Sequence, residues 1–291
     1  MCNLLGYSKQ AYYKQLKALE SDSLEVYLIV GLVKTARIIW KRGSGRNLYA
    51  YLQESFRNHQ IKIGRDKFFD ILREHGLLIK PKRRITTTTL SYHRFYKYPN
   101  LIKEKVCNAP NQIWVSDITY IYLEEEQCFS YLFLITDVYS RKIIGYSLEL
   151  SLKAIGAIKS LNQAIITSRH LTDHCIHHSD RGIQYCCNEY VKILNQHGIS
   201  ISMTEKGDPL ENAIAERLNR TIKEEFTTQK ELSFSNYKIA KNDIVSFVNF
   251  YNTKRPHSSI ERLTPEEAYL RKGELKRQWK AYYKKKENGF S

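Results

Sequence analysis

The chain has 291 residues and a formal net charge of +16. With 42% hydrophobic and 26% charged residues it has the composition of a folded chain with a sizeable core, which excludes a disordered or low-complexity protein. No apolar run approaches the ~18 residues of a membrane span, and no signal-peptide pattern opens the chain. Six cysteines (Cys2, Cys107, Cys128, Cys175, Cys186 and Cys187) lack CxxC spacing. They predict a reducing, cytoplasmic setting rather than a disulfide scaffold or zinc ribbon.

The charge is unevenly spread. Residues 1–110 hold 21 Lys+Arg against 8 Asp+Glu, residues 111–225 hold 11 against 15, and residues 226–291 hold 14 against 7. Basic flanks around a mildly acidic centre point to polyanion binding at both ends and a different task in the middle.

The first hundred residues read as helices. Leu24, Leu28, Leu32 and Ala36 predict a helix over Ser23–Lys41, broken by Gly43, Ser44 and Gly45. Leu48, Leu52 and Phe56 predict a second helix. The segment RDKFFDILREHGLL puts Phe68, Ile71 and Leu72 on one face and stops at His75-Gly76. Short basic helices with tight turns fit a helix-turn-helix module over residues 1–80, whose recognition helix begins near Arg65 and displays Arg65, Asp66 and Lys67. Residues 81–108 read as a basic linker. Lys82, Arg83 and Arg84 precede a threonine run and then Tyr92, His93, Arg94, Tyr96, Lys97 and Tyr98, cations and rings that suit phosphates and bases.

From Gln112 the pattern turns to strands. IWVSDITYIYL alternates, and CFSYLFLITDVYS and KIIGYSLEL follow at hairpin spacing. A helix over Lys153–Arg169, a short strand CIHHSD, a helix near Glu189–Gln196, a strand ISISMT and helices over 209–226 and 236–252 complete the core. This order predicts an α/β fold, a mixed five-stranded sheet with flanking helices, over residues 109–270, preceded by the all-α region. A basic tail follows over 271–291.

Three acids carry chemistry. Asp117 sits inside a strand, where Asp is depleted and a buried carboxylate is costly unless paired or metal-bound. Asp180 closes CIHHSD just before the turn at Arg181-Gly182, a position where open sheets present functional groups. Glu216 lies in PLENAIAERLNRTIKEEF. The apolar seam there is Ile214, Leu218 and Ile222, and the face of Glu216 carries Asn212, Asn219, Arg220 and Lys223. Thirty-five residues separate Asp180 from Glu216. Taken singly, each acid has an ordinary structural reading. Together, one strand, one strand end and one helix can converge three hard oxygen donors on Mg²⁺ or Mn²⁺, two ions of which serve phosphoryl transfer. His174, His177, His178, Cys186 and Cys187 crowd like zinc ligands, but adjacent cysteines chelate one tetrahedral ion poorly, so no structural zinc is expected.

The segments GYSKQAYYK, IGRDKFFDILREHGLL, PNLIKEKVCNAPNQIWVSDITYI, HSDRGIQY, ENAIAERLNRTIKEE and YNTKRPHSSIERLTPEEAY occur in order over nearly the whole chain. With them the chain resembles the transposases of bacterial insertion sequences, the "insertion sequence three" family, whose core is similar to retroviral integrases. The resemblance implies a ribonuclease-H-like core with Asp117, Asp180 and Glu216 as catalytic, metal-binding triad. It implies an enzyme that cuts and rejoins DNA at the ends of its own element, acting on terminal inverted repeats and target DNA. It further implies a homo-multimer on paired ends and an upstream-frame helix-turn-helix protein, with no membrane partner and a cytoplasmic, nucleoid-associated location. Glu211 stands where many relatives have Asp, and Asp137 matches a family Asp outside the triad, read here as a structural strand-end residue. Arg181, Gln184 and Tyr185 after the second acid, and Arg220 and Lys223 on the helix face, are candidate DNA contacts. For Asn252, Arg255, Pro256 and His257 two readings stay open, phosphate contact or helix closure, and Arg255 joins the DNA-contact candidates. The rivals are a catalytically inactive DNA-binding protein and a simple nuclease of the same fold.

Overall fold

A computed structural model describes residues 9–79, 95–103, 105–168, 174–205, 213–225 and 233–276. The chain divides into two compact units, Met1–Pro81 and Lys82–Ser291.

The first unit is helical: α1 (Lys9–Ile39), α2 (Gly45–Tyr51), α3 (Gln53–Asn58) and α4 (Arg65–Glu74). The expected apolar register of the first helix is displaced. Ile29, Val33 and Ala36 are buried with Trp40, whereas Leu24 is 66% exposed and Leu28 is exposed as well. α1 carries two apolar stripes, and packing against α2 to α4 selects the one that meets Leu48, Leu52, Phe56, Phe68 and Leu72. The helix expected through Leu48, Leu52 and Phe56 bends at Leu52 into α2 and α3, and all three side chains stay buried. α4 begins at Arg65 as expected. It ends at His75, where Gly76 takes φ +65, the left-handed conformation that a glycine adopts freely.

The second unit is built on a mixed sheet. β1 (Ile113–Leu123), β2 (Cys128–Asp137) and β3 (Ile143–Glu149) form an antiparallel meander. β4 (Ile176–Ser179) and β5 (Ser200–Met203) add in parallel on the far side of β1, giving the order β3-β2-β1-β4-β5. This is the expected five-stranded ribonuclease-H-like sheet. A two-residue strand, β6 (Ser233–Phe234), also pairs with the end of β1 and was not legible in the sequence.

Helices cover both faces, which is why β1 begins with four successive buried residues instead of alternating. On one face α5 (Ala154–Thr167), α6 (Ile183–Cys186) and α7 (Asn188–Gln196) enclose Trp114, Phe133 and Ile135. α5 lies so close to β3 that a Cβ on Gly145 would fall 2.1 Å from the Ser160 carbonyl oxygen. On the other face α8 (Ala213–Glu225) and α9 (Tyr237–Thr253) close over Ile121, Leu123, Leu132 and Leu134 with Leu218, Ile222, Ile244 and Phe247. A capped short helix, α10 (Pro265–Tyr269), follows α9 and packs its Tyr269 against the Trp114 side of the sheet.

The far part of the stretch read as a linker is fastened to the sheet. Pro99 accepts from the Met203 N–H at 3.3 Å, and the Leu101 N–H donates to Ser202 Oγ at 2.9 Å. No described helix is long and apolar enough to cross a membrane.

Candidate active site

The parallel ladder between β1 and β4 sets the site. Its last rung pairs Val115 with His178; two residues further along stand Asp117, still within β1, and Asp180, just past the end of β4. Asp117 lies on the same side of β1 as Ile121 and Leu123, toward α8 and α9. Its Oδ1 accepts from the Ile118 N–H at 2.8 Å and its Oδ2 from Asn219 Nδ2 at 2.6 Å. Asp180 Oδ1 accepts from the Gly182 N–H at 2.9 Å. A Cβ at Gly182 would come within 2.9 Å of Asp180 Oδ1 and 3.0 Å of Gln184 Oε1, so a larger residue there would shift these side-chain ends.

α8 brings the third acid. Ala215, Leu218 and Ile222 are buried, and this seam rotates Asn219 inward onto Asp117. Glu216 lies one turn earlier, exposed at the start of the helix. Burial and then the charge of Asp180 push the Asp117 carboxyl up to about 7, and Glu216 adds to the rise, against the opposing hydrogen bonds from Ile118 and Asn219. All three acids therefore act on one electrostatic centre.

By chemistry, though not yet by spacing, the donor set suits a hydrated divalent cation. It consists of hard carboxylate oxygens, and Asn219 Oδ1, buried beside Asp117, lacks a hydrogen-bond partner among the described residues. As they stand, no three His, Cys, Asp or Glu side chains among the described residues are close enough together to enclose a metal ion.

The remaining expected site residues divide. Arg65 and Lys67 are exposed on the first turn of α4, Arg65 beside Asp66 at 2.9 Å. Arg220 and Lys223 are exposed on α8, and Arg181 is half-buried directly after Asp180. Lys82, Arg83 and Arg84 lie outside the described residues.

Arg255 differs from expectation. It is 5% exposed and grips Glu225 through Nε at 2.8 Å and Nη2 at 2.6 Å, with Nη1 2.6 Å from His257 Nε2. Its cation is committed inside the protein and is not presented to a phosphate. Asn252 is likewise structural, since its amide answers both the N–H and the carbonyl of Ile143 at 2.9 Å. Helix closure is thus the reading the late turn supports. Gln184 and Tyr185 are buried, and Gln184 donates to the Leu152 carbonyl at 2.8 Å.

Asp137 holds a strand end. It is fully buried and accepts from the N–H groups of Asn111 and Ser140 and from the Ser140 hydroxyl. The crowded histidines have partners of their own. His177 Nε2 lies 2.6 Å from Ser116 Oγ and 2.8 Å from the Tyr190 hydroxyl, and His178 Nδ1 lies 2.8 Å from Ser202 Oγ.

The integrase core domain model matches residues 108–209, and a second integrase core domain model matches residues 197–265. The α/β sheet with its acid centre is therefore that of an integrase-core polynucleotidyl transferase. Three curated relatives extend the match. A 31 kDa protein of insertion element IS600 from Shigella sonnei is 33% identical over 91% of this chain and 96% of its own. The transposase of insertion sequence element IS904 from Lactococcus lactis is 30% identical over 73% of this chain and 89% of its own. Transposase InsF of insertion sequence IS3A from Escherichia coli is 31% identical over 67% of each chain. The chain belongs to the IS3 family of insertion-sequence transposases and is a DNA transposase.

Proposed function

We propose that Asp117, Asp180 and Glu216 are the catalytic residues of this transposase and that they hold Mg²⁺ or Mn²⁺, two ions per active site. The observation that carries this reading is Asn219. One helix, α8, both anchors the Asp117 carboxylate through Asn219 and carries Glu216 a turn earlier.

The reaction has two steps. Water attacks a phosphodiester at the element end and frees a 3′ hydroxyl. That hydroxyl then attacks a second phosphodiester, so one P–O bond is made for each one broken. Bound divalent ions supply charge neutralisation at the phosphate and activation of the attacking oxygen. The chain supplies orientation. Asn219 and the Ile118 N–H fix the Asp117 carboxylate, Gly182 fixes that of Asp180, and Arg181, Arg220 and Lys223 are positioned to meet the strand's phosphates.

The N-terminal unit reads the element ends as a helix-turn-helix module over 1–80, with Arg65 and Lys67 on α4 and Lys82, Arg83 and Arg84 in the basic linker. The core runs over 109–270 and the basic tail over 271–291. The protein works as a homo-multimer on paired ends and target DNA, in the cytoplasm at the nucleoid, with an upstream-frame helix-turn-helix protein as partner.

A labelled element end incubated with the protein and Mg²⁺ tests the reading. Joined products are expected. Cleavage without joining would indicate a nuclease, and binding alone an inactive DNA-binding protein.

A further inference from the structure

The face of the sheet opposite Asp117 ends in four rings, two of which no described helix covers. β1 and β2 pair Tyr120 with Tyr131 and Tyr122 with Phe129, so four aromatic side chains stand on one surface. Tyr120 packs edge-on to Tyr131 at 5.1 Å and to Phe129 at 6.1 Å, and Tyr122 packs against Phe129 at 5.3 Å. Tyr131 is anchored at the edge of the core beneath α5 and α7. Beyond it, Tyr120 is 42% and Phe129 46% exposed.

Tyr120 lies three residues past Asp117 on the same strand. Among the described residues, β1 pairs with β4 only through Val115 and with β6 only from Tyr122, so its edge is open between them. Asp117 itself occupies the Ile118 N–H there. Burial, then Tyr131 and then the charge of Asp180 push the Tyr120 phenol up. The nearby carboxylates are engaged elsewhere. Glu149 pairs with Lys159 at 2.8 Å, while Glu124, Glu125 and Glu126 accept from Ser233, Asn236 and Tyr237.

Exposed rings on a sheet surface are a platform for nucleobases, because every base offers a π face whatever its sequence. The occupant follows from continuity with the site, since a transposase must bring a DNA strand end to Asp180. We propose that Tyr120 and Tyr131, backed by Phe129 and Tyr122, stack the unpaired terminal bases of the DNA strand held at the active site. This rests on the assignment of Asp117, Asp180 and Glu216 as the catalytic centre.

An element end carrying 2-aminopurine at its terminal positions tests the platform, because stacking on an aromatic ring quenches its fluorescence. The full chain is expected to quench the probe. Tyr120→Ala and Tyr120→Leu are expected to lose the quench and to bind a single-stranded end roughly 5- to 150-fold more weakly, while Tyr120→Trp retains both. Tyr120→Leu keeps apolar bulk, which separates stacking from packing. Asp117→Asn is expected to quench like the unaltered chain although its chemistry stops. An active Asp117→Asn would therefore sink the triad, and a quench indifferent to Tyr120 would sink the platform. Unchanged quenching in Tyr120→Leu together with an altered sedimentation coefficient would likewise overturn it, assigning the face to a second copy of the chain.

Discussion

Asp117 and Asp180 each stand two residues past the rung that pairs Val115 with His178, Asp117 within β1 and Asp180 just beyond the end of β4. β4 stops at Ser179, so Asp180 leaves the ladder while Asp117 continues within β1. One acid is held by the sheet and the other by a turn, and α8, tied to the first through Asn219, carries Glu216. Asp117→Asn, Asp180→Asn and Glu216→Gln are each expected to abolish cleavage and joining while leaving affinity for the element end within a few-fold. A gel-based strand-transfer assay beside a binding titration checks this, and near-normal turnover in any one of them would remove that residue from the centre.

Asn219 is the hinge between two of those acids. Asn219→Ala removes the donor to Asp117 Oδ2 but leaves the seam of Ala215, Leu218 and Ile222 in place. Turnover is expected to fall roughly 10- to 100-fold, as for other groups that orient a metal ligand, with the circular dichroism spectrum unchanged. A variant of full activity would show that Asp117 needs no such support.

The sequence singles the three acids out together rather than one by one, as a carboxylate inside a strand, another before a Gly turn and a third on a polar helix face thirty-five residues further on. Asn219 could be put on the face of Glu216 by helical spacing, yet its bond to Asp117 depends on how α8 rolls on the sheet, which no local pattern encodes. Arg255 misled for the opposite reason. An arginine in a polar turn looks solvated, and its partner Glu225 lies thirty residues back on another helix. In α1 the competing stripes of Leu24/Leu28 and Ile29/Val33 were equally helical, and only the partner helices decide between them.

Arg255→Ala is accordingly expected to act on stability. It strands Glu225 in a largely buried site, at a cost of about 3–5 kcal/mol, and denaturant unfolding should show it. The salt dependence of DNA binding should stay unchanged. A shallower salt slope with unaltered stability would return Arg255 to the DNA surface.

Arg65 and Lys67 should behave in the reverse way. Both are exposed on α4, and if they meet phosphates, the double alanine variant should flatten the slope of log affinity against log salt by roughly 2 and leave the unfolding midpoint alone. An unchanged slope would place the DNA contact elsewhere in the N-terminal unit.

His177 predicts an acid limit. Burial, and then His178, push its imidazole down to about 3, and the Ser116 and Tyr190 hydroxyls beside Nε2 leave no room for a hydrated charge there. The unfolded chain, near the ordinary value of about 6.5, takes up a proton that the folded chain refuses. Stability is therefore full above about pH 6.5 and declines as pH falls toward 3, by about 1.4 kcal/mol per pH unit from this group. Denaturant midpoints taken across that range should show the decline, and His177→Asn should flatten it. An unchanged slope in that variant would assign the acid sensitivity to other groups.

The clasp of Asn252 on Ile143 sets an order of assembly during synthesis. The first residue of β3 waits 109 positions for the amide that satisfies its backbone, and the end of α8 waits thirty for Arg255. A growing chain can lay down its meander and the seam of α8 on it early, but the last turn of α8 gains its buried ion pair only once Arg255 has been made.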